Sequence, residues 1–131
     1  MPPRSSFVLR TGTALAFALL AGASCSSDDG SPESEGKPTG AECPSESPLT
    51  YDTFGREFFQ QYCLACHSST GTVSGGHAFD TLAEIRESAS HIDEYAAAGP
   101  EATNRVMPPQ APRPSDEGRL RLGEWIACGA P

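Results

Sequence analysis

Basic residues are scarce in this chain. Nine Lys and Arg stand against 17 Asp and Glu, a formal net charge of −8. Nucleic-acid binding demands a basic face, so the balance argues against that class of partner. Long apolar runs are missing too. The one sustained apolar stretch, residues 11–23, is shorter than the roughly 20 residues of a membrane-crossing helix, and no later stretch approaches it. Large apolar side chains are few, and the hydrophobic content of 37% is thin for a core. A small domain of this kind usually needs a disulfide, a metal or another staple. Methionine occurs only at Met1 and Met107, and histidine only at His67, His77 and His91. Gly and Pro, by contrast, number 13 and 12 and predict long irregular connections. The length of 131 residues suits one small domain.

The apolar stretch has a direction. Arg4 and Arg10 precede it with no acid among them, which is the order of a secretory signal. Two processing routes remain open. Leu20-Ala21-Gly22-Ala23-Ser24-Cys25 resembles a bacterial lipoprotein signal, which makes Cys25 the lipidation candidate. It departs from that pattern in having Gly22, not Leu, three before the cysteine. Ala21-Gly22-Ala23 also suits an ordinary signal peptidase. Residues 26–47 favour lipidation, because they are Ser, Asp, Glu, Gly and Pro with almost no large apolar residue. Such a stretch cannot bury enough surface to fold and would make a flexible spacer for a membrane-anchored domain. The division expected is therefore a signal peptide over 1–24, a disordered acidic linker over 25–48 and a folded domain over 49–131. The plain alternative is a soluble protein with a disordered N-terminus. Removal of Arg4 and Arg10 leaves seven bases against 17 acids, a net charge of −10. That surface would steer the domain toward basic patches on a partner, or serve solubility alone.

Cys63-Leu64-Ala65-Cys66-His67 is the most specific motif in the chain. C-x-x-C-H is the attachment site of a c-type haem. Two thiols on one helical turn can both reach the vinyl groups of one porphyrin, and the adjacent imidazole can ligate the iron. The competing readings are a chance pentapeptide, a redox dithiol and half a zinc site. A structural zinc site needs about four protein ligands, and His77 and His91 have no paired ligand spacing. A thioredoxin-like dithiol belongs in a βαβ context, which the sequence lacks.

The spacing predicts a helix from Thr50 or Asp52 to Cys66. Phe54, Phe58 and Tyr62 repeat every four residues along one face, and Gly55, Phe59 and Cys63 along a second. The second line, continued through Cys66 and His67, resembles the first helix of the class I cytochromes c. There a glycine, then an aromatic, then the first haem cysteine come at intervals of four. The resemblance spans about residues 50–127. It implies an all-α domain around one covalently bound haem, with Cys63 and Cys66 attached to it and His67 on the iron. Met107, in Asn104-Arg105-Val106-Met107-Pro108-Pro109, resembles the sixth-ligand loop of that family; flanking prolines would hold it with little entropy loss. Arg105 is a candidate for a haem propionate, or else a solvent-facing residue.

The remaining elements are read from local signals. Residues 68–78 read as a loop. Thr81 and Glu84 form a capping-box pattern at the head of a helix over 81–91, with Leu82, Ile85 and Ala89 inward. A short turn over 92–98 comes next. Ser115 is the expected N-cap of the last helix, with Asp116 and Glu117 at its positive end. By the resemblance this helix crosses the first, with Leu122 or Trp125 against Gly55 and Phe59. If the two helices cross, Cys43 and Cys128 lie at adjoining ends, and they are the candidate disulfide; the alternative is two free thiols. Glu84, Glu87 and Asp93 read as a solvated face, and no residue stands out as an acid, base or nucleophile.

The function this implies is single-electron transfer on the periplasmic side of a membrane, between redox proteins, through a His/Met-ligated iron. The rivals are a haem-based ligand binder or sensor with an open sixth position, a small peroxidase-like enzyme, and a haem-free lipoprotein acting by interaction alone.

Overall fold

The computed structural model describes residues 36–71 and 76–131. The proposed signal peptide and Cys25 lie outside the described residues.

Side-chain caps start the helices where the sequence places them. Thr50 and Thr53 form a reciprocal box: the Thr53 amide donates to Thr50 Oγ1 at 3.1 Å, and the Thr50 amide to Thr53 Oγ1 at 2.9 Å. A wide π-helical turn, Tyr51–Gly55, then runs into α1 (Arg56–Tyr62). Thr50 O accepts from the amides of both Phe54 and Gly55, and the second bond is what widens the turn. After a turn at Cys63 the chain continues as α2 (Leu64–His67). The single helix expected over residues 50–66 is thus a continuous path in three pieces.

Thr81 and Glu84 cap α3 (Leu82–Glu87) as a second reciprocal box. The break before α4 (Ala89–Ala96) falls at Ser88, not after His91 as the sequence suggests. Ser88 is buried and sits at φ −95°, ψ 10°, outside the helical well. Ser115 Oγ accepts from the Gly118 amide at 3.1 Å and opens α5 (Asp116–Ala127). Among the described residues there is no strand, only an isolated antiparallel bridge between Ala98 and Thr103. The domain is all-α.

The core is aromatic and small. Trp125, Phe59, Ile85 and Leu122 are fully buried, with Phe54, Phe58, Phe79 and Ile92 around them. The Trp125 ring lies 6.0 Å from Phe59 and 6.1 Å from Phe54 between centroids, within the range where aromatic pairs attract beyond simple burial. The approach of α5 needs Gly55: a Cβ there would lie 2.7 Å from Trp125 Cζ2. Gly123 plays the matching part on α5, where a Cβ would lie 2.2 Å from Ala98 O.

One expectation needs correcting. Residues 36–48, assigned by composition to a disordered linker, are a strap on the domain. Thr39 is fully buried; its amide donates to Asp93 Oδ2 at 2.8 Å and its hydroxyl to Asp93 Oδ1. Asn104 Nδ2 donates to Lys37 O and to Asp93 O, at 2.7 and 2.9 Å. Cys43 is bonded to Cys128, with Cα atoms 4.7 Å apart. Polar composition misleads here because the strap is held by hydrogen bonds and a disulfide in place of apolar burial. The same contacts correct the reading of Asp93 as a solvated residue. No described helix is long and apolar enough to cross a membrane.

Candidate haem site

Cys63, Cys66, His67 and Met107 line one cavity of about 310 Å³. Its walls are almost entirely apolar: Phe58, Phe59 and Tyr62 from α1, Phe79 after the loop, Ile92 and Ala96 from α4, and Leu122 from α5. The end of α1, α2 and the Met107 loop therefore converge on a single space, although 40 residues of sequence separate His67 from Met107.

His67 is held through its ring and its backbone. Its ring stacks on Phe79, with centroids 4.8 Å apart. Its carbonyl accepts from the Phe79 amide at 2.7 Å. Its Nδ1 lies 2.9 Å from the backbone carbonyl of His77. A carbonyl can only accept, so Nδ1 is the donor in this bond, and in the neutral ring Nε2 is the nitrogen left with a lone pair. An orienting bond of this kind is the usual companion of a metal-ligating histidine.

The two thiols differ. Cys66 is exposed and Cys63 half-buried. Burial pushes the Cys63 thiol from its ordinary 9.0 up to about 12, and the charge of Arg119 opposes this more weakly. A redox-active dithiol needs the opposite shift, toward thiolate. The zinc reading also lacks support, since no group of three or more Cys, His, Asp or Glu among the described residues is arranged to hold a metal ion.

Met107 is fixed through its backbone. Its amide donates to Tyr95 O at 2.9 Å. Its carbonyl accepts from Arg119 Nη1 at 2.8 Å. The same nitrogen reaches Asn104 O at 2.8 Å and Ala96 O at 2.6 Å. Arg119 is buried, with 1% of its surface exposed. Burial, and then the charge of Arg105, lower its pKa from the ordinary arginine value, while Asp116 opposes them. It remains a cation at neutral pH, as arginine does throughout proteins.

The other candidates sort themselves by position. Arg105 forms a two-oxygen ion pair with Asp116, at 2.8 Å to each, on the exposed surface. His77 and His91 both line the cavity, their rings 5.0 Å apart, and His91 stacks on Tyr95. Sequence reasoning missed Phe79, Tyr95 and Arg119. For Arg119 a signal existed: it lies three residues before Leu122 and six before Trp125, on the buried face of α5.

No protein-family model, no curated protein and no solved structure matches this chain.

The residues present fit a covalently held haem. Two cysteines and a histidine oriented through Nδ1 border an apolar cavity, and a neutral, soft thioether borders the same cavity.

Proposed function

We propose that this chain is an exported mono-haem c-type cytochrome that carries single electrons between redox proteins. The observation that carries the reading is the meeting of His67, oriented through Nδ1, with Cys63, Cys66 and Met107 around one apolar cavity.

In this reading Cys63 and Cys66 would hold the haem covalently, through thioether bonds from their sulfurs to its vinyl groups. His67 would hold the iron through Nε2, and Met107 would hold it through its sulfur. A haem bound there would supply one-electron chemistry between ferric and ferrous iron. Phe58, Phe59, Phe79 and Leu122 line the cavity and would keep water from the group, which together with a thioether ligand would favour the ferrous form. Cys66, His77 and Met107 are exposed and border the cavity, which leaves an edge for electron exchange with a partner.

Export is inferred from the apolar N-terminal stretch behind Arg4 and Arg10, since c-type haem attachment and the Cys43–Cys128 disulfide both suit an oxidising compartment. Lipidation at Cys25 would tether the domain to a membrane surface. The acidic balance favours redox partners with basic docking patches.

The optical spectrum of full-length protein, produced with haem-maturation machinery, tests the carrier reading. A sharp ferrous α-band unchanged by carbon monoxide is expected. A ferrous spectrum that shifts fully with carbon monoxide would replace the carrier with a ligand binder.

A further inference from the structure

Arg119 is the one fully buried charged side chain among the described residues, and no carboxylate bonds to it. Its nearest polar partners are backbone carbonyls of three separate places: Ala96 at the end of α4, and Asn104 and Met107 on the loop. All three lie within 2.6–2.8 Å of the single nitrogen Nη1. Burying a guanidinium against neutral acceptors is costly. An apolar side chain at this position could occupy the buried face but would leave the carbonyls of Ala96, Asn104 and Met107 without this donor.

We infer that Arg119 is a positioning residue, whose guanidinium pins the Met107 loop to α4 and so holds the methionine at the cavity. Its consequence for the iron rests on the haem reading, although the clamp itself exists without it. On its N-terminal side the loop is also held by Asn104, whose amide donates to Ala97 O and whose side chain donates to Lys37 O and Asp93 O, and by the Arg105–Asp116 pair. Less holds it from Met107 onward. Prolines 108 and 109 cannot donate hydrogen bonds, and Met107 is 36% exposed, so apolar burial holds it weakly. The Met107 amide is tied to Tyr95 O on α4. Arg119 ties the carbonyl of the same residue from α5. The backbone on both sides of the Met107 Cα is thereby anchored, and the side chain swings from a fixed point.

The clamp predicts a local effect. In Arg119→Met, hydrogen exchange at the Met107 and Asn104 amides should accelerate roughly tenfold or more, as expected when hydrogen bonds to a charged donor are lost. The Cys63 amide, bonded to Phe59 O in α1, should change less than about twofold, by the same reasoning. Haem-loaded Arg119→Met should lose the weak methionine–iron charge-transfer band, bind carbon monoxide in the ferrous state and shift to lower potential. Arg119→Lys keeps the charge and a multiple donor and should restore part of the protection and of the band. It also carries the test if Arg119→Met does not fold. Unchanged exchange at Met107, or equal acceleration at Met107 and Cys63, would overturn the clamp. Acceleration at Met107 in a chain that takes up no haem would leave the clamp standing and remove the haem reading instead.

Discussion

The indole of Trp125 occupies the space that a side chain at residue 55 would need. A Cβ on Gly55 would stand 2.7 Å from Cζ2 and 2.9 Å from Cη2. With the Trp125 ring also against Phe54 and Phe59, this contact packs α5 on the first helical segment, and α1 continues from there to Cys63.

Gly55→Ala is therefore expected to destabilise the domain, although alanine is the better helix former. The propensity gain is about 1 kcal/mol, whereas overpacking a closed site costs about 1–3 kcal/mol. Denaturant midpoints should fall. Combining it with Trp125→Leu should cost less than the sum of the two single changes, because Leu leaves room for the methyl. Additive losses would mean that the two residues do not share the site.

The disulfide gives a second expectation. Cys43 and Cys128 are 85 residues apart in sequence, so their bond constrains much of the unfolded chain. Replacing both by Ser should lower stability by about 2–4 kcal/mol. Alkylation of denatured, unreduced protein should leave Cys43 and Cys128 unlabelled. Labelling of either would remove the bond from the account.

The buried thiol sets a pH dependence for the haem-free chain. Folded Cys63 has its pKa raised to about 12 from the ordinary 9.0. Between those values the unfolded chain releases the proton and the folded chain keeps it. Stability should therefore be fully present below pH 9.0 and fall as pH rises toward 12. Urea midpoints across that range, compared with Cys63→Ser, isolate the effect: the serine variant should fall less steeply. Identical slopes would place Cys63 in contact with solvent.

Met107→Ala tests the sixth ligand. In haem-loaded protein it should lower the reduction potential and open the ferrous iron to carbon monoxide, because the soft neutral ligand is gone. An unchanged spectrum and potential would assign the sixth position to another group, and His77 and His91, which line the same cavity, would be the next to change.

What was legible in the sequence was local. Thr50, Thr81 and Ser115 announce their helices because a cap bonds only to residues two or three ahead. Glycine 55 and the aromatic repeat mark a face that another helix approaches, but they left Leu122 and Trp125 undecided. Three-dimensional packing assigns the close contact to Trp125 and places Leu122 in the cavity wall. The strap over residues 36–48 was not legible, since Thr39, Asn104 and Asp93 bond across 11 to 67 positions of sequence. Arg119 was hidden for a different reason. On a helix with Arg121, Asp116 and Glu117 it looks like one more surface charge, and only its register with Leu122 and Trp125 says otherwise. His67 was legible as a motif, but the carbonyl of His77 that orients it carries no sequence signal, because any residue supplies a carbonyl.

The most direct test of the account is the intact mass of the full chain after production with c-haem maturation machinery. The account predicts a gain of one haem that survives acid–acetone extraction, and its loss in a Cys63→Ser, Cys66→Ser double variant. A wild-type chain recovered without haem under those conditions would contradict it.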